Sequence, residues 1–207
     1  MDGRKQWEDY EYIECLDGEV INMRQLLKDQ ALAKTALMKL FPLAGIVASK
    51  FQFVYTFHVN TQATDGFRIF VNPQFTSHLD LTQKVFVMAH ECMHVILNHL
   101  RRAKRLGHNH ERSNIAGDYE INVGLVDMGL IPERTIHQTE ALFDKKYSKW
   151  SYEQIYDDNP PGPKKPPQQP QQQQQNNDNS TKIEADQAYI DGWNKAIEDY
   201  KNGKLKL

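Results

Sequence analysis

VMAHECMHVILNH, residues 87–99, sets three histidines and a glutamate among residues that ordinarily fill a protein core. A helix turns about 100° per residue, so side chains four apart lie only about 40° around the axis from each other, one turn apart along it. His90 and His94 can therefore grip one cation. Glu91 falls about 100° from His90, on the flank of the same face, where a carboxylate reaches a water beside the ion without displacing it. His99 lies about 180° from His90 and about 140° from His94. With no glycine between 94 and 99 to break the helix, His99 is expected to point away as a core or surface histidine. Cys92, about 200° from His90, reads as a core thiol.

The flanks of this stretch extend the helix. Asp80, with Gln83 three residues on, forms a capping-box signature, and Gly107 supplies a stop, so one long helix is predicted over 81–105. Arg101 returns to within about 20° of the His90 direction and reads as a surface arginine. After a short GHNH connection, with His108 and His110 expected to be solvated, a second helix is predicted over 110–128, ending at Gly129. On it Asn114, Asp118 and Asn122 recur in steps of four, with Glu111 in the first turn and Glu120 about 200° from Asp118.

This places a polar stripe beside a metal-gripping pair. Two neutral imidazoles suit zinc and leave room for one more protein ligand and a water, whose pKa the ion lowers toward 7. The adjacent carboxylate takes the proton as that water attacks a carbonyl. Asp118, central in the stripe, is the favoured third ligand, with Asn114 and Asn122 orienting the ligands around it.

Upstream, NMRQLLKDQALAKTALMKL (22–40) carries helical periodicity that Pro42 interrupts. FQFVYTFHV (51–59) and FRIFV (67–71) are rich in aromatic and β-branched residues, and the polar NTQATDG between them reads as a loop joining antiparallel strands. From 158 a Pro-, Gln- and Asn-rich tract has nothing apolar to bury. The expected organisation is a domain over 1–157, a disordered linker over 158–185, and an amphipathic helix over 186–207 marked by Tyr189, Trp193 and Tyr200.

The 207 residues suffice for one sizeable core and an appendage. A formal net charge of −2, with no long basic run, gives no electrostatic reason to expect nucleic acid or a membrane surface as partner. There is no secretory signal and no apolar run of membrane-spanning length. Cys15 and Cys92 do not make a disulfide framework, so a cytoplasmic protein with reduced thiols is expected.

Taken together, FPLAGIVAS, VYTFHVN with DGFRIFVNP, VMAHECMHVILNHLRR and NIAGDYEIN resemble the metallopeptidase domain that stands before a von Willebrand factor A-like domain in longer bacterial relatives. The resemblance runs over roughly residues 35–130. It implies an α+β, zincin-like fold with the metal helix under a small sheet. It also implies His90, His94 and Asp118 as zinc ligands, Glu91 as base, and FRIFV as an edge strand that adds a substrate backbone. Residues 187–205 resemble the Trp-containing helix after the relatives' variable linker, and the chain then stops without a von Willebrand-like domain, as a short bacterial or phage form or as a fragment.

The leading expectation is a zinc peptidase acting on a peptide or protein. The alternative is a metal-stabilised binding or assembly module whose C-terminal helix docks a protein partner. A nucleic-acid-associated protease is disfavoured by the near-neutral charge.

Overall fold

A computed structural model describes residues 11–160 other than Leu16. The chain divides into two units, Met1–Pro160 and Pro161–Leu207. The predicted C-terminal helix, and the predicted linker from 161 on, lie outside the described residues.

A short antiparallel hairpin, β1 (Tyr12–Glu14) and β2 (Val20–Asn22), leads directly into α1 (Met23–Leu40). Asn22 ends the strand and caps the helix, its Oδ1 accepting from the Gln25 N–H at 2.9 Å. Pro42 does interrupt α1, but it also starts α2 (Pro42–Lys50), because a proline lacks only an N–H that the first helical position leaves unused. Gly45 lets α2 fold back closely on α1: a Cβ there would come 2.4 Å from the Met38 Cα.

The sheet differs from the antiparallel pair expected. β3 (Gln52–Tyr55) and β5 (Arg68–Val71) run parallel, and the stretch read as a loop contains β4 (Gln62–Thr64), antiparallel to β5 on its other side. The order is β3-β5-β4. The Asp65-Gly66 turn explains why: Gly66 takes φ +94°, and the Asp65 carboxylate accepts from the N–H groups of Phe67 and Arg68, so the tight hairpin joins β4 to β5. β5 is consequently the central strand, with Ile69 and Val71 fully buried. FRIFV therefore has no open edge with which to add a substrate; the edge strands are β3 and β4, and β4 packs against the helix carrying His90.

After a turn of helix, α3 (Pro73–Ser77), comes α4 (Leu81–Ile96). The Asp80/Gln83 capping box is present in both directions. α4 crosses the core against α1 and α2, burying Val85, Phe86 and Met88, each worth about 1.5–3 kcal/mol if fully buried. Lys84 is buried with its Nζ shared between Asp29 on α1 (2.9 Å) and the Leu79 carbonyl (2.7 Å).

The single helix predicted over 81–105 is two helices. α4 stops at Ile96, Asn98 takes a left-handed conformation (φ 61°, ψ 34°), and α5 runs from His99 to Leu106 in a new direction. Asparagine is among the few residues other than glycine that tolerate this backbone, so no glycine was needed. α6 (His110–Asp127) is capped by Asn109, and α7 (Glu133–Gln138) and α8 (Tyr152–Asp158) follow. Ala116, Tyr119 and Val123 on α6 form a second core with Tyr147, Tyr152 and Ile155. No described helix is long and apolar enough to cross a membrane.

Candidate metal centre

α4 and α6 pack face to face, and the polar stripe of α6 meets the His90–His94 face of α4. His90 Nε2 and His94 Nε2 are 3.0 Å apart, and Asp118 Oδ1 lies 3.3 Å from each. Neighbouring donors around a tetrahedral ion bound at about 2.0–2.1 Å sit about 3.3 Å apart, so this triangle has the size of one face of such a site. The donor set, two imidazoles and a carboxylate, suits zinc.

Each imidazole is turned by its other nitrogen. His90 Nδ1 donates to Asn122 Oδ1 at 2.8 Å, and Asn122 is fixed that way round because its Nδ2 donates to the Leu142 carbonyl at 2.8 Å. His94 Nδ1 lies 3.1 Å from His99 Nδ1, and His99 Nε2 lies 2.6 Å from Glu120 Oε2. With Glu120 accepting from His99 Nε2, His99 Nδ1 is left to accept from His94 Nδ1, and the His94 Nε2 lone pair faces Asp118. Both imidazoles thus present Nε2 as ligand atom.

Gly117 makes the second arrangement possible. A Cβ there would stand 2.8 Å from His99 Nδ1 and 3.3 Å from His94 Cε1, so a larger residue next to Asp118 would hold α6 off the two rings.

Burial alone would discharge His90, but the Asp118 carboxylate, helped by Glu91, raises its pKa to about 9. His94 goes the other way: burial pushes it down to about 4, with Asp118 only partly offsetting. Burial alone would raise Asp118, yet the two imidazoles hold its carboxyl well below the usual carboxylate range. Glu91 is buried, and its pKa is pushed up to about 7, chiefly by burial, with His90 opposing and Asp118 adding to the rise. A buried carboxyl beside this triangle is placed to accept and return a proton.

His90, His94 and Asp118 lie together, and Asn122 Oδ1 accepts from His90 Nδ1. Asn114 is exposed, at the mouth of an adjoining cavity, and Glu111 is exposed at the start of α6. Cys92 is fully buried and Arg101 is exposed.

His99 corrects the expectation that it points away. The break at Asn98 swings its ring back against His94, and Glu120, set aside because it lies off the Asp118 face, is the group that holds it. The expectation that His108 is solvated also fails: its Nδ1 meets the Tyr152 hydroxyl at 2.9 Å and its ring stacks on Tyr156 at 3.7 Å. One other donor group occurs among the described residues, Cys15, Asp17 and Glu19, but the Gln74 amide donates to both carboxylates and accounts for their approach.

No curated protein and no solved structure matches this chain. A family model described as "Putative metallopeptidase domain" matches residues 26–206, nearly the whole sequence and well beyond the stretch over which the resemblance was read. With a match of this span, the chain belongs to that metallopeptidase-domain family.

Proposed function

We propose that the chain is a cytoplasmic, zinc-dependent peptidase of zincin-like type. The observation that carries this reading is the convergence of His90 Nε2, His94 Nε2 and Asp118 Oδ1 to within 3.3 Å of one another beside the buried Glu91 carboxylate. These three side chains would hold the ion. When bound, zinc supplies Lewis acidity toward a substrate carbonyl and lowers the pKa of a water toward 7.

The protein's own groups do the rest. Glu91, a buried carboxylate next to His90 in sequence, takes a proton from the attacking water and returns it to the leaving amine. Asn122 and the His99–Glu120 pair keep both ligand imidazoles in the tautomer that leaves Nε2 free. β4, unpaired on one side among the described residues and packed on α4, offers backbone groups for strand addition by an extended substrate.

The alternative, a metal-stabilised binding module, calls for a fourth protein ligand that closes the site. His99 is the nearest further histidine, and both its nitrogens are already engaged, which favours the hydrolytic reading. Glu91→Gln is the test: zinc content should stay at the wild-type ratio while peptide cleavage falls by about 100-fold or more. Cleavage at the wild-type rate by zinc-loaded Glu91→Gln protein would remove the mechanism.

A further inference from the structure

A cavity of about 180 Å³ opens beside the metal triangle on the α5 side. His94 and His99 are among its lining residues, so it adjoins the candidate ligand set. On α6 its lining continues the Asp118 stripe through Asn114 and His110, four and eight residues away, about 6 and 12 Å along the axis. An extended peptide advances about 3.3 Å per residue, so this lining reaches about two to four residues' length from the triangle.

The walls are mainly apolar surface from Leu100, Ala103 and the stem of Lys104. They are also rigid. His108 is stacked on Tyr156 and hydrogen-bonded to Tyr152, while Tyr152 is stacked on His99 and donates to Ser113 at 2.8 Å. An apolar cavity of about 150 Å³ takes a benzene-sized group, so this volume suits one leucine- to phenylalanine-sized side chain and is too small for two. Of the lining residues, Lys104 is exposed and forms no ion pair among the described residues, and the exposed Arg101 stands one turn from it on α5.

We propose that this cavity is the specificity pocket of the enzyme: it receives a large apolar side chain within a few residues of the cleaved bond, and Lys104 selects an acidic residue beside it. The inference rests on the peptidase reading, and the experiment separates the two.

Zinc-loaded full-length protein is titrated by calorimetry with acetohydroxamate, which has no side chain, and with a benzyl-substituted succinyl hydroxamate extended by either aspartate or lysine. The benzyl probe should bind at least about tenfold more tightly than acetohydroxamate, the scale on which a pocket discriminates side chains. Ala103→Met fills the cavity and should remove that advantage while leaving acetohydroxamate affinity unchanged. Because Ala103 also packs against the second core, Leu100→Trp at an exposed wall position is the parallel variant and should do the same. Lys104→Glu should reduce or reverse the preference for aspartate over lysine without moving acetohydroxamate.

Acetohydroxamate binding with no benzyl advantage, or a benzyl advantage that survives both fillings, would overturn the pocket and leave the peptidase reading standing. An aspartate preference indifferent to Lys104→Glu would overturn its rim. Failure to hold zinc, or to bind either hydroxamate when zinc-loaded, would overturn both the pocket and the reading beneath it.

Discussion

His90 is braced by a neutral amide, whereas His94 is braced by a second imidazole backed by a carboxylate. The first support is one residue deep and ends on the Leu142 carbonyl. The second runs from His94 through His99 to Glu120, which Arg102 also approaches at 3.5 Å, and Arg102 pairs in turn with Glu153 on α8. One support therefore turns an imidazole with a dipole, and the other places a partly buried carboxylate two steps from the triangle. A carboxylate behind a ligand imidazole raises its basicity as well as fixing its tautomer, so the His94 side should contribute more to metal affinity than the His90 side.

That inequality is open to direct attack. Glu120→Ala should weaken zinc binding by about 10–100-fold in chelator competition, with Asn122→Ala at the lower end of that range. Glu120→Gln, which keeps an acceptor for His99 but no charge, should fall between Glu120→Ala and wild type. Equal losses in Glu120→Ala and Glu120→Gln would mean that charge plays no part; a larger loss in Asn122→Ala than in Glu120→Ala would invert the comparison.

Gly117 sharpens it further, because only the His94 side depends on that close approach. Alanine there gains up to about 1 kcal/mol of helix propensity, but its Cβ meets a buried ring at 2.8 Å, an overpacking that costs about 1–3 kcal/mol. The two terms leave Gly117→Ala less stable by about 1 kcal/mol in urea unfolding. Its zinc affinity should fall by roughly the same factor as in Glu120→Ala, since the His99 ring is the atom group displaced. A variant that is destabilised yet binds zinc normally would detach the His99 position from metal binding.

The two supports also differ in how far the sequence discloses them. Asn122 falls on the Asp118 stripe by the period of four, and so do the ligands; the helix period alone brings those residues to one face. His99 and Glu120 are invisible to that period. Their meeting depends on a one-residue left-handed step at Asn98, which the helix-forming residues on either side conceal. A similar limit applies to the sheet: the composition of 51–59 and 67–71 identifies β3 and β5, while their parallel pairing follows from the short strand β4 inside a polar stretch. α7 and α8, with the aromatic packing that anchors α6 from behind, lack a periodic signature long enough to read.

Asn98 itself then becomes the next test. A residue with a Cβ and no local hydrogen-bonding side chain loses about 1–2 kcal/mol in the left-handed region. Asn98→Ala should accordingly lower stability by about 1 kcal/mol, whereas Asn98→Gly should stay within a few tenths. If Ala and Gly behave alike, the step at 98 is not what turns α5, and the recovery of His99 needs another cause.

The smallest effect lies at the outer end of the His94 support. Arg102 donates from Nε to one Glu153 oxygen at 2.9 Å and from Nη2 to the other at 2.5 Å, and this bidentate contact holds the Glu153 pKa down at about 2. A carboxyl whose folded pKa is depressed contributes its stability in full above the unfolded value, about 4.3, and loses it as pH falls toward the folded one. The Glu153 side chain is 37% exposed, so solvent screening keeps the contribution at about 1 kcal/mol or less, whatever the depth of the shift. Wild type and Glu153→Gln should therefore differ by that small margin in urea unfolding at pH 7, and the margin should narrow progressively between pH 5 and pH 3. A margin that stayed constant across that window would mean the pair stabilises by packing of Arg102 on Tyr152, whose ring it faces at 5.0 Å, rather than by charge.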